Sequence, residues 1–169
     1  SGLYQVKVYG SGGSATRNGR GLFAAALVEA FPQLPVEEEG RLNDASIREN
    51  FIERVFCYQR WKDFLIDQPN YKGLIKFHAR HKLQLMAHST RHLSRMGKLV
   101  ASGKDSDPAD LLSEYESNLH EALALKATVK KNVNVLQHIM GYFKKILTPD
   151  EKVEVLTLIE RYAAHYLPL

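Results

Sequence analysis

From Tyr71 onward the apolar residues recur every three or four positions, the period of an α-helix. The first part of the chain is patterned differently. Tyr4–Tyr9 alternates valines with polar residues and predicts a strand. Gly10–Gly21 is rich in glycine and serine and predicts turns. A helix follows over about Leu22–Phe31 and stops at Pro32. Leu34–Glu37 predicts a second short strand. Asn43 or Asp44 caps the next helix, which sets Ile47, Phe51, Ile52, Val55 and Phe56 on one side and runs through Trp61 to Leu65. Strand, helix, strand, helix is the rhythm of a parallel α/β sheet. Two strands do not make such a sheet by themselves, because both of its faces must be covered. Residues 1–68 therefore predict the C-terminal part of a truncated Rossmann-like domain.

The rest predicts a bundle of about five helices. Leu74–His88 is the first, and Ser89 caps a second over Thr90–Ala101. Asp107 with Pro108 at the first helical position opens a third, to about Lys126. The fourth spans Lys130–Lys145. Thr148-Pro149-Asp150-Glu151 is a capping box that opens a fifth, to about Tyr166. The apolar ending Leu167-Pro168-Leu169 predicts truncation here as well. The expected fold is mainly α: a small α/β tail of two strands and two helices over 1–68, then a helical domain over 69–169.

The fourth helix has two distinct faces. Val133, Val135, Leu136, Ile139, Met140, Phe143 and Ile146 share the apolar one, and Lys130, Asn134, Gln137, His138, Gly141, Lys144 and Lys145 share the other. The polar face holds no carboxylate. Its glycine costs about 1 kcal/mol against alanine and is expected to leave room for close approach by a backbone or a ligand.

Charge sharpens this picture. Residues 1–68 hold 8 Lys/Arg against 9 Asp/Glu, whereas residues 69–169 hold 15 against 10. Between Asp67 and Asp105 there are eight bases and no acid, and from Lys126 to Lys145 there are five lysines and no acid. Two basic helical stretches predict a surface for a polyanion, against the plainer alternative of a solvated basic face. Lys82, Arg91, Arg95, Lys130, Lys131, Lys144 and Lys145 are the candidate phosphate contacts. Asn134, Gln137 and His138 are candidates for 2′-hydroxyls or base edges, or for bonds to a neighbouring helix. Tyr142 can stack on a base or pack in the core.

Arg17, Asn18 and Arg20 precede a helix start and form a weaker anion-binding candidate; turn geometry alone also explains the glycines around them. Glu37, Glu38 and Glu39 read as a solvated strand end. His78, His81, His88 and His92 have helical spacing but no carboxylate nearby, so packing, phosphate contact and metal ligation all remain open, with metal the least supported. Cys57 is the sole cysteine, which excludes an internal disulfide or a multi-cysteine metal site within this chain. No apolar run approaches a bilayer-spanning length, and no signal peptide is recognisable, so a cytoplasmic protein without membrane contact is expected.

Two family resemblances follow from longer motifs. Val6-Lys7-Val8-Tyr9, Arg17 to Phe23, Pro35 to Leu42 and Arg48 to Phe56 resemble the C-terminal half of the thiouracil desulfidase family. Phe77-His78, His81-Lys82, Leu85 to His88 and Asn134-Val135-Leu136-Gln137-His138-Ile139-Met140-Gly141-Tyr142-Phe143 look like the YbgA-type helical domain, a domain of unknown function. The resemblance implies a transfer-RNA 4-thiouridine desulfidase, in which three cysteines hold a 4Fe–4S cluster and the helical domain holds the RNA. It also implies that the cluster ligands and the catalytic acid lie in a missing N-terminal catalytic half. Ser1 stands at or beside the last cluster position, and serine does not replace the thiolate. This chain alone is then expected to hold no cofactor and to catalyse nothing. An open sheet edge left by truncation would favour self-association. The rival reading is a helical protein-interaction or regulatory module without RNA binding.

Overall fold

The computed structural model describes residues 21–169 in full and, of residues 1–20, the backbone at 6–9 and 15–19. The chain divides into two compact units, Ser1–Gln68 and Pro69–Leu169. Among the described residues there are seven α-helices and one two-stranded ladder.

In the first unit β1 (Val6–Tyr9) pairs antiparallel with β2 (Ala15–Gly19), with an irregular register between Val6 and Val8. Helix α1 (Leu22–Ala30), a 3-10 turn (Glu39–Asn43) and helix α2 (Ala45–Asp67) follow. This corrects the expected α/β tail. β1 falls on the expected strand at Tyr4–Tyr9 and β2 in the expected turn region, so the ladder is a local hairpin, not a pair of parallel strands joined by a crossover helix. No strand forms at Leu34–Glu37, and the chemistry there explains why. Leu34 donates its N–H back to Phe31, closing a turn. Pro35 has no N–H to give a ladder. The Glu37 carboxylate accepts from the Glu38 N–H at 3.1 Å and pairs with Arg41 at 2.8 Å, which winds the chain into the 3-10 turn.

Asp44 caps α2: its Oδ1 accepts from the N–H groups of Ser46 (2.8 Å) and Ile47 (3.1 Å). The buried stripe of α2 is Cys57, Trp61 and Phe64, spaced as one helical face, with the Trp61 and Phe64 rings 5.0 Å apart.

The second unit is built from α3 (Tyr71–His88), α4 (Thr90–Ser102), α5 (Pro108–Ala124), α6 (Val129–Phe143) and α7 (Pro149–Ala163). Helix α3 is its axis and packs on α4, α5 and α6; α4 also packs on α5, and α7 on α6. Leu74, Phe77 and Leu85 of α3 are buried, as are Met96 and Val100 of α4 and Leu111, Tyr115, Leu119 and Leu123 of α5. Polar caps fix where each helix starts. Asn70 Oδ1 accepts from Gly73 at 3.0 Å, Ser89 Oγ from His92 at 3.3 Å and Asp107 Oδ1 from Ala109 at 2.9 Å. Thr148 and Glu151 cap α7 reciprocally.

Gly103 makes the α4–α5 corner possible. A Cβ there would lie 2.7 Å and 2.8 Å from the two methyls of Leu111, whose side chain is itself in the core. Gly103→Ala is therefore expected to lower stability by about 1–3 kcal/mol through overpacking. Urea denaturation measures this; an unchanged midpoint would refute the close fit.

Candidate nucleic-acid interface

The four histidines of α3 and α4 are engaged inside the bundle. His78 Nδ1 lies 3.1 Å from the hydroxyl of fully buried Tyr115, and the two rings meet edge to face. His81 stacks on Phe77 with ring centres 4.0 Å apart, and its Nδ1 lies 2.8 Å from the Phe77 carbonyl. His88 Nδ1 is 2.6 Å from the Leu125 carbonyl. A carbonyl only accepts, so Nδ1 carries the proton in both of these rings. His92 sits between Ser89 Oγ (2.8 Å) and Glu121 (3.5 Å). Among the described residues no three metal-binding side chains converge. Burial, with Lys82 and His81 adding repulsion, pushes the His78 pKa below its ordinary value.

Helix α6 carries the clearest candidate surface. Its apolar side rests on α3 and α7, and Asn132 Nδ2 ties it to α7 by donating to the Tyr162 hydroxyl at 3.0 Å. Its polar side, Lys130, Asn134, Gln137, His138, Gly141, Tyr142, Lys144 and Lys145, is exposed. The helical part of the stripe, Lys130 to Tyr142, runs about 18 Å along the axis at 1.5 Å per residue, and Lys144 and Lys145 follow in the turn after α6. No carboxylate among the described residues pairs with Lys130, Lys144 or Lys145. His138 Nε2 lies 2.9 Å from the Tyr142 hydroxyl, with the rings edge to face. That contact braces an aromatic ring 61% exposed, so Tyr142 belongs to the surface, not the core. Gly141 does not make room for a close neighbour: a Cβ there would meet nothing within 4 Å.

Lys131 differs from its neighbours. Its ammonium donates to the carbonyls of His88 (2.7 Å) and Lys126 (2.8 Å), so it closes the C-terminal end of α3, where the helix dipole favours a cation.

A second basic surface lies between α4 and α5. Arg91, Ser94, Arg95, Lys98, Leu99 and Ser102 of α4 face Glu114 of α5 across a cleft of about 570 Å³. Arg95 reaches Glu114 at 3.6 Å. Sequence reasoning picked Arg91 and Arg95 but passed over Lys98. The signal was available: 91, 95 and 98 advance by four and three, one turn each. Glu114 comes from a separate helix, and no local pattern announces it.

Lys82 is exposed on α3 and does not line the α4–α5 cleft. The side chains of Arg17, Asn18 and Arg20 lie outside the described residues. Glu37 is occupied by Arg41. Cys57 is fully buried, and burial pushes its thiol up to about 12, with Arg60 opposing and Glu53 adding to the shift. A thiol reagent at pH 8 is thus expected to leave native Cys57 unmodified and to label it in denaturant. Equal rates in both states would overturn that. The stability owed to the neutral thiol is present below its ordinary value of 9.0 and is lost as pH rises toward about 12. Among the described residues no helix is long and apolar enough to cross a membrane.

A family model described as "Protein of unknown function (DUF1722)" matches residues 82–169, from the second half of α3 to the end. The "Uncharacterized protein YbgA" of Escherichia coli (strain K12) is 29% identical over 98 residues, 57% of this chain and 58% of that protein. The chain thus matches less than two thirds of that relative's length. No solved structure matches.

Proposed function

The chain belongs to the DUF1722 family of proteins of unknown function, and from that premise we propose that its helical unit, Pro69–Leu169, is an RNA-binding module whose ligand is transfer RNA. One observation carries the reading: the exposed α6 stripe sets three unpaired lysines, two free amides and a braced tyrosine on one carboxylate-free face. Lysines supply sequence-independent attraction to phosphates, amides reach sugar and base edges, and an exposed ring stacks on an unpaired base. The desulfidase-like motifs of the first unit support the choice of transfer RNA and of 4-thiouridine removal as the activity that the module serves. This chain does not fit the cluster that such chemistry needs. Its one cysteine is buried and held protonated, whereas cluster ligation takes several thiolates. The cluster and catalysis would come from residues outside this sequence.

The test is fluorescence anisotropy of labelled transfer RNA with the chain at several salt concentrations. Affinity is expected to fall steeply from 50 to 200 mM salt, with a log–log slope of roughly −2 or steeper for three or more phosphate contacts. Binding that is absent, or indifferent to salt, would remove the reading. Phe143, Ile146 and Val153 are 48%, 77% and 64% exposed near the α6–α7 turn, which favours a protein partner as the second reading. Salt-indifferent binding to protein alone would select it.

A further inference from the structure

We infer that the α4–α5 cleft is a second RNA site, which takes the ribose–phosphate backbone and distinguishes RNA from DNA; this rests on the RNA-binding reading above. The cleft is separate from the α6 stripe and is formed by different helices. Arg91, Arg95 and Lys98 project from three successive turns of α4, a span of about 10 Å along the axis. They face one carboxylate, Glu114, so three cations meet one anion. Glu114 reaches only Arg95, at 3.6 Å, longer than a tight charge-assisted bond. Two positive charges are left without a partner in the cleft, enough for two consecutive phosphodiesters. Ser94 borders the same cleft and can donate its hydroxyl to a phosphate oxygen, whereas the Ser102 hydroxyl is already donated to the Lys98 carbonyl at 3.0 Å.

The carboxylate is the informative member. A surface built only for phosphate gains nothing from an acid in its wall, since like charges repel. An ionised carboxylate is an acceptor only, and the donor that accompanies every RNA phosphate is the ribose 2′-hydroxyl. Glu114 accepts that hydroxyl while Arg95, held beside it, takes the adjoining phosphate. DNA brings the same phosphates to the same acid without the compensating donor. The cleft therefore tolerates RNA and penalises DNA. The whole cleft lies within the stretch matched by the family model.

The experiment uses the full chain with a labelled RNA stem-loop and a DNA stem-loop of the same sequence, by anisotropy at several salt concentrations. The Arg91→Ala/Lys98→Ala variant is expected to bind the RNA at least ten-fold more weakly at 0.1 M salt and to flatten the salt slope by roughly 1.4–1.8. Glu114→Ala is expected to strengthen DNA binding while RNA gains less, so that the RNA-to-DNA affinity ratio falls several-fold. All three residues are exposed, and circular dichroism checks that each variant is folded. An unchanged slope in the double variant, with binding lost when the α6 lysines are replaced, overturns the cleft and spares the RNA reading. A Glu114→Ala gain that is equal for both probes overturns the ribose contact, leaving the acid as a mere charge. Wild-type chain that binds neither probe overturns both proposals.

Discussion

Replacing Lys130, Lys144 and Lys145 together by alanine is expected to weaken transfer-RNA binding about a hundred-fold in 0.1 M salt. Each phosphate contact releases close to one counterion, so each is worth roughly 0.7–0.9 log units of affinity at a tenth of molar salt. Three lost contacts should also flatten the log–log slope by about 2–3. These ammonium groups are exposed and unpaired within the described chain, so their removal leaves the bundle intact. Lys131 is the internal control. Its ammonium is already held by two carbonyls, so Lys131→Ala should lower stability and leave the slope nearly unchanged. Tyr142→Ala should weaken binding through lost stacking, by about 1–3 kcal/mol, with no change of slope. An unchanged slope in the triple variant would show that α6 does not meet phosphate.

That contrast between Lys131 and Lys130 also shows what a sequence can reveal. Helical periodicity put both lysines at the start of one helix and assigned both to phosphate. It could not show that Lys131 lies over the end of α3, because His88 is 43 residues away and the contact exists only after folding. The caps were legible because they are local: Ser89, Asp107 and the Thr148–Glu151 box act within three residues. The failure of the strand expected at Leu34–Glu37 was legible in part, since Pro35 has no N–H for a ladder, but the missing partner strand was not, because the sequence does not name one. The α4 cleft was half legible. Its cations follow a helical repeat, but its carboxylate arrives from α5. The histidines resisted for the same reason: His78 and His88 find Tyr115 and Leu125, each 37 residues on.

Tyr115→Ala is expected to cost the helical unit about 3–5 kcal/mol, the range for emptying a large ring from a packed core. Tyr115 is fully buried, and its ring meets Phe77 and His78 edge to face. A typical domain has about 5–15 kcal/mol in total, so the variant should stand near its unfolding threshold. Tyr115→Phe separates the ring from the hydroxyl. It keeps the packing but leaves His78 Nδ1 without its partner, at a cost of about 1 kcal/mol. The two variants should also differ from wild type in their response to acid. His78 titrates below its ordinary 6.5 because the ring is desolvated and faces Lys82 and His81. As pH falls, the unfolded chain takes the proton first. The stability contributed by neutral His78 is therefore present above about pH 6.5 and lost as pH falls through the folded value. Urea midpoints at pH 8, 6.5 and 5 test this, with His78→Leu as the control that should remove this part of the acid dependence. A Tyr115→Phe protein as stable as wild type at pH 8 would mean that the hydroxyl contributes nothing. An undiminished acid dependence in His78→Leu would move the titration to another group and detach His78 from the stability of the α3–α5 contact.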